Sequence, residues 1–360
     1  MPIRVLVVDD SPLMRRLITS FLEKESDMVV VDTAADGEEA VRKVQSVRPD
    51  VVTMDVEMPV LNGIDALERM MAISPVPVIM LSAHTKSGAN ATMKSLALGA
   101  VDFVAKPTNP GEMKVMVEDL LFKIRAAAQA LVKRTPSPVR RAPVRSKKDE
   151  KKEAGIGITA TGHMRGQYEV VVIGSSTGGP SALHQIVRQL PQNLPVGVVI
   201  VQHIPKGFSE SLALHLDKKA AISVKHAEKG DRVRPGLVLV SPAGFDLTFH
   251  GKPGAVEVDL NPGKGPVRPG NFRPSVDLVM KSAAETFGRK TMGVLLTGMG
   301  RDGALGMQAI REKNGYTIAE AEETCVVYGM PRAAVEIGAA VKVLPLHEIA
   351  AEIVRALKRE

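Results

Sequence analysis

The chain has 360 residues, 44% hydrophobic and 24% charged, enough for two ordinary domains and too apolar for a disordered or fibrous protein. Its single cysteine, Cys325, excludes an intrachain disulfide and points to a reducing compartment; no apolar run is long enough for a membrane span. Residues 133–153 hold nine Lys/Arg against three Asp/Glu, so almost all of the +7 net charge sits in one segment, unlike the spread basic footprint of a nucleic-acid-binding domain.

We therefore expect a soluble cytoplasmic protein, without membrane insertion or nucleic acid. The opening MPIRVLVVDD reads as a first strand rather than a signal peptide. Residues 3–8 are a continuous apolar run, as a central parallel strand covered on both faces requires. Asp9 and Asp10 end it, and Ser11-Pro12 starts a helix with Ser as N-cap and Pro in the first turn. Leu13, Met14, Leu17, Ile18, Phe21 and Leu22 form that helix's apolar face. The unit recurs, with strands at 29–31, 50–54, 76–81 and 101–104. The helices fall at 38–47, 64–71, up to about Gly99, and 112–131. Five alternations call for a doubly wound parallel sheet with right-handed crossovers.

On that sheet Asp9 and Asp10 end the first strand, Asp55 the third, Ser82 the fourth and Lys106 the fifth. All lie at the carboxyl edge, where open α/β sheets bind ligands. Three carboxylates this close repel one another unless a divalent cation sits among them, and an all-oxygen site with room for phosphate suits Mg²⁺. Lys106 adds a point charge for a phosphoryl oxygen and Ser82 a hydroxyl donor.

The Asp9-Asp10 pair, MDVEMP at 54–59 with Asn62-Gly63, Ser82 and Lys106-Pro107 resemble the receiver domain of response regulators, flavodoxin-like in fold, across residues 1–124. The resemblance implies that Asp55 is the phosphoacceptor and that Asp9, Asp10 and Asp55 hold Mg²⁺. Ser82 and Phe103 then take the hydroxyl and aromatic switch positions, where many receivers have Thr and Tyr. In the family the Lys-Pro peptide is often cis, as only an X-Pro bond readily is.

The pattern stops near Lys133. A basic stretch rich in Pro, Gly, Ser and Thr follows, unable to bury a core, and residues 125–166 read as a linker. Strand logic resumes at Tyr168, and residues 167–358 form a second α/β domain. Apolar strands at 170–173, 196–201 and 292–296 are separated by short strands at 238–240, 245–250 and 255–260, part of which can form a hairpin.

Residues 174–180 read GSSTGGP between the first of these strands and a helical pattern at Leu183, Ile186, Val187 and Leu190. Gly174-x-Ser176-x-Gly178 fits a nucleophile elbow; a phosphate-cradling turn and a plain βα turn are the competing readings. His203 and Asp302 also lie just past apolar strands, so adjacent parallel strands would bring Ser176, His203 and Asp302 to one edge. Serine needs a base, imidazole titrates near neutrality, and a carboxylate on its far nitrogen fixes the tautomer. His184 on a helix and His250 at a hairpin strand compete poorly, and Cys325 reads as a buried apolar side chain. The order Ser…His…Asp differs from that of the α/β-hydrolases.

GSSTGGP, QHIPKGFSESLA, SPAG, FRPSVD, LTGMGRDGALGM and CVVYGMPRAA, behind a receiver and a linker, resemble the chemotaxis protein-glutamate methylesterases. The resemblance implies a C-terminal, mostly parallel α/β serine hydrolase domain, with Ser176 as nucleophile, His203 as base and Asp302 as orienting acid. Thr177 lies beside the nucleophile and the Met299 main-chain N–H is the oxyanion donor; the elbow rule independently nominates the N–H of Thr177. The implied activity is hydrolysis of glutamate γ-methyl esters on methyl-accepting chemoreceptors, with deamidation of particular glutamines as a related reaction. A chemotaxis histidine kinase would supply the phosphoryl group, Mg²⁺ would serve the receiver, no cofactor the esterase, and a monomer is expected. The unphosphorylated receiver would cover the active-site edge. Two other classes remain: a transcriptional regulator, against which the second domain's strands argue, and a binding module with an idle triad.

Overall fold

The computed structural model describes residues 1–130, 168–252, 254–263 and 272–358. The basic stretch read as a linker lies almost entirely outside them.

The first half is built from β1 (Ile3–Val8), α1 (Pro12–Leu22), β2 (Met28–Ala34), α2 (Gly37–Val47), β3 (Val51–Asp55), α3 (Gly63–Ile73), β4 (Val78–Ser82), α4 (Lys86–Ala97), β5 (Asp102–Ala105) and α5 (Met113–Ala127). The five strands pair in parallel in the order β2-β1-β3-β4-β5, the flavodoxin-like doubly wound sheet expected. Val5 to Val8 are fully buried, as the continuous apolar run demands. Ser11 caps α1 by accepting the Met14 N–H at 3.4 Å. Leu13, assigned to the apolar face of α1, is 66% exposed. It lies five residues from the buried Ile18, about 140° around the helix, and so turns to solvent. The Lys106-Pro107 peptide is not cis: the one cis bond among the described residues is Arg273-Pro274. For a tertiary amide trans remains the lower state by about 0.5–1 kcal/mol.

The second half comprises β6 (Val170–Ser175), α6 (Gly179–Val187), β7 (Gly197–Gln202), α7 (Ser209–Asp217), β8 (Ser223–His226), β9 (Leu237–Val240), β10 (Asp246–Lys252) and β11 (Ala255–Asn261). It continues through α8 (Val276–Phe287), β12 (Thr291–Leu295), α9 (Ala304–Glu312), β13 (Tyr316–Glu320), α10 (Met330–Glu336), β14 (Lys342–Leu344) and α11 (Leu346–Ala356). Seven strands run parallel in the order β14-β13-β12-β6-β7-β9-β8, and β10 and β11 form an antiparallel hairpin beside them. The strand order reverses at β6, which lies between β12 and β7. That switch point leaves a crevice at the carboxyl ends of three central strands.

The two halves pack together. Helix α4 lies against α6 and α7, and one apolar cluster takes residues from both sheets. Phe103 of β5 packs at 4.5 Å between ring centroids, tilted by 44°, on Phe208, which immediately precedes α7, and His84 meets the same ring at 5.7 Å. Val326, from the loop after β13, joins the cluster built on α5.

Candidate active site and phosphoacceptor site

At the carboxyl edge of the first sheet, one carboxylate oxygen from each of Asp9, Asp10 and Asp55 lies within 4.8 Å of the others. Lys106 reaches in from the end of β5, with Nζ 2.7 Å from Asp55 Oδ2 and 2.9 Å from Asp9 Oδ2. Burial raises the Asp55 carboxyl above its ordinary value against the pull of Lys106. The donor set is all carboxylate oxygen with a lysine at its rim, which fits a hard divalent cation and a phosphoryl group. Ser82 is buried at the end of β4 and donates to the Gly88 carbonyl at 3.1 Å. Phe103 is buried against the second half of the chain.

At the switch point of the second sheet, Ser176 follows β6 and His203 follows β7. Asp302 lies in the loop between β12 and α9. The structure thus gathers all three at one edge. His203 Nε2 lies 2.8 Å from Asp302 Oδ2. Its other ring nitrogen, Nδ1, is buried without a hydrogen-bond partner, and no hydrogen bond joins it to Ser176 among the described residues. Phe272 stacks on the imidazole at 4.1 Å and 17°, so the ring has little freedom to turn.

Asp302 owes its place to α8. Its Oδ2 accepts the Val276 N–H at 2.7 Å, and its Oδ1 accepts the Asp277 N–H at 2.9 Å and the Ser275 hydroxyl at 3.0 Å. A carboxylate on a helix N-terminus satisfies donors that the helix cannot. Burial works to raise its pKa, but the bond to His203, its charge and the main-chain donors hold Asp302 below the ordinary carboxylate range. Asp277 in turn accepts the N–H groups of Gly303 and Gly306, at 2.9 and 2.6 Å, and so ties the Asp302 loop to the same helix end.

The nucleophile turn is braced from two sides. Gln202 Nε2 donates to the carbonyls of Ser176 and His203 at 2.9 and 2.8 Å, linking the two loops. Gly178 adopts φ 79°, a conformation that favours glycine, and caps α6. A Cβ at Gly298 would stand 2.7 Å from that of Ser176, so only glycine lets the loop after β12 come this close. The main-chain N–H groups of Thr177 and Met299 take no hydrogen bond among the described residues. Of the competing residues, His184 lies in α6, His250 is exposed on β10, and Cys325 is buried with its thiol pKa pushed up by burial.

Ser176 and His203 open into a cavity of about 360 Å³ between the two halves of the chain. Its walls include Phe122 and Met116 of α5 on one side, and Phe272 and Lys206 on the other.

A family model of the response regulator receiver domain matches residues 5–118, and one described as CheB methylesterase matches residues 171–353. The class is therefore a response regulator whose output half is a hydrolase domain. The chain belongs to the CheB methylesterase family. It is 48% identical, over 99% of its length and 97% of the other's, to the protein-glutamate methylesterase/protein-glutamine glutaminase of Symbiobacterium thermophilum. A relative so named in Carboxydothermus hydrogenoformans is 46% identical, over 97% of this chain and 98% of the other. The crystal structure of the Thermotoga maritima CheB methylesterase catalytic domain matches with a TM-score of 0.50 at 43% identity. That match covers 52% of this chain and 98% of the other.

Gln202, Phe272, Ser275, Asp277 and Thr297 were not singled out by their residue types alone. Four of them lie in the QHIPKGFSESLA and FRPSVD segments that carry the resemblance, and Ser275-Val-Asp reads as a helix start.

Proposed function

We propose that this chain removes methyl groups from glutamate γ-methyl esters on chemoreceptors and deamidates particular receptor glutamines, using Ser176, His203 and Asp302. The observation that carries the assignment is the His203–Asp302 pair at 2.8 Å, with the opposite ring nitrogen left unpartnered beside the serine turn. The bond to Asp302 assigns the proton to Nε2 and leaves Nδ1 as the base.

Ser176 Oγ attacks the ester carbonyl carbon as Nδ1 takes its proton. The imidazolium is held in place by Asp302, whose charge is fixed by α8. The oxyanion is met by the N–H groups of Thr177 and Met299, which have no partner among the described residues; such a donor is worth about 10²–10³ in rate. Collapse breaks the bond between the carbonyl carbon and the methoxy oxygen, and His203 returns its proton to the departing methanol. Water, deprotonated by Nδ1, then attacks the acyl-enzyme, releasing glutamate and restoring Ser176. With a glutamine, ammonia leaves instead.

The receiver extends past the expected boundary at 124 to the end of α5 at Ala127, the linker follows to 166, and 167–358 are the catalytic domain of a cytoplasmic monomer. Asp55 receives a phosphoryl group from a chemotaxis histidine kinase, with Lys106 beside its oxygens and Ser82 and Phe103 in the switch positions. Asp9, Asp10 and Asp55 would hold Mg²⁺, which neutralises charge during phosphoryl transfer. Phosphorylation adds about −1.5 to −2 of charge and shifts the docked receiver from the Ser176 edge. No described helix is long and apolar enough to cross a membrane.

The test is methanol release from methylated receptor membranes, with and without acetyl phosphate. The parent should release methanol faster with the donor, Asp55→Asn should release it at the unstimulated rate in both conditions, and Ser176→Ala should release none. No release from the parent in either condition would overturn the substrate assignment.

A further inference from the structure

Glu320 is the last residue of β13, wholly buried, with no salt-bridge partner among the described residues. Its Oε2 accepts the Thr297 main-chain N–H at 2.8 Å, and its Oε1 has no hydrogen-bond partner. A buried acid with no cation costs stability unless its remaining contact matters.

That contact is to the hub of the serine site. The Thr297 carbonyl accepts the Ser176 N–H at 3.0 Å. Its hydroxyl donates to the Thr177 carbonyl at 3.0 Å and accepts the Val327 N–H at 2.9 Å. Two residues further on is Met299. Every main-chain polar group of Thr297 is thus engaged: its carbonyl by the nucleophile residue, its N–H by Glu320.

We propose that Glu320 is a positioning residue for the serine site. Its carboxyl fixes the Thr297 main chain, and Thr297 sets the spacing between the Thr177 and Met299 N–H groups that would receive the oxyanion. Burial raises the Glu320 pKa, and the contact to Thr297 asks of the side chain only an acceptor oxygen. A glutamine can do the same; a leucine of similar bulk cannot. The inference rests on the proposed use of Ser176.

The experiment uses the full chain with acetyl phosphate and two readouts. One is kcat and KM for methanol release from methylated receptor membranes. The other is the rate at which a fluorophosphonate probe labels Ser176, which needs the same oxyanion contacts but no receptor. Glu320→Leu should lower kcat and labelling about tenfold or more with KM within about twofold, since a buried N–H loses its acceptor. Glu320→Gln should restore both to within about threefold. Glu320→Met, which keeps the bulk but offers only a weak sulfur acceptor, should fall with Glu320→Leu and decides the matter if that variant does not fold. Parental kcat in Glu320→Leu or Glu320→Met, a loss confined to KM, or a glutamine variant as slow as the leucine one would overturn the inference. Should the parent label but release no methanol, with labelling slowed in Glu320→Leu and not in Glu320→Gln, the inference stands and the substrate assignment fails.

Discussion

Phe208→Ala should loosen the receiver from the catalytic edge. Phe208 is 1% exposed and packs, tilted, on Phe103, so its ring belongs to the contact between the halves as much as to its own domain. An aromatic pair contributes about 0.5–1.5 kcal/mol beyond the area it buries. That part is lost only while the receiver is docked, so the open population should rise about 2- to 12-fold. The packing that the ring makes within its own domain is lost in docked and open states alike and lowers the melting temperature without moving the balance. The assay is methanol release without a phosphoryl donor. The basal rate should rise about 2- to 12-fold, while the rate at saturating acetyl phosphate changes little, so the activation ratio shrinks by the same factor. A fragment beginning near Gly166 gives the fully open rate. A basal rate equal to the parent's in Phe208→Ala, with activation intact, would refute the view that this contact holds the receiver down.

Asp302→Asn should lower kcat on the order of 10⁴-fold in methanol release, because an amide cannot hold the imidazole proton on Nε2. The same carboxyl is lowered in the folded chain, so it adds stability above its unfolded pKa of about 4 and loses it as pH falls through the folded value. The melting temperature of the parent should therefore fall more steeply below about pH 4 than that of the asparagine variant. Chelation of divalent metal with EDTA should abolish stimulation by acetyl phosphate and leave the unstimulated rate unchanged. Burial, then Lys219 and Arg188, lowers the pKa of His184, so the unfolded chain binds its proton first and stability declines as pH drops below about 6.5. Between pH 7.5 and 5.5, His184→Gln should lose less melting temperature than the parent.

Continuous apolar runs made the receiver half legible: each central strand is covered on both faces, and its end is marked by Asp9, Asp55, Ser82 or Lys106. Strands β8 and β14 left no such trace, since they are short edge strands with exposed positions, among them Ser223 and Val343. Strand β13 went unread although four of its five residues are buried, because it ends on an acid in place of another apolar residue. The Ser176, His203 and Asp302 positions could be placed because each follows an apolar strand. What fixes them could not: α8 reaches Asp302 and Phe272 reaches His203 only through the folded chain. Those partners are set by tertiary packing, which one-dimensional spacing does not encode. Helix α5 reaches Ala127, and its face bearing Phe122 carries no sequence mark that it will meet the second half of the chain.

The cavity over Ser176 has a consequence for what the docked receiver excludes. Its volume of about 360 Å³ is at the lower end of what small-molecule sites enclose. A helix with side chains is about 10–12 Å across, and a receptor helix presenting a glutamyl ester to Ser176 would need that width. The docked arrangement therefore acts as a sieve. On the proposed use of Ser176 it would turn away the bulk that carries the reacting group while the His203–Asp302 pair stays in place beneath, so control would be exercised by steric admission.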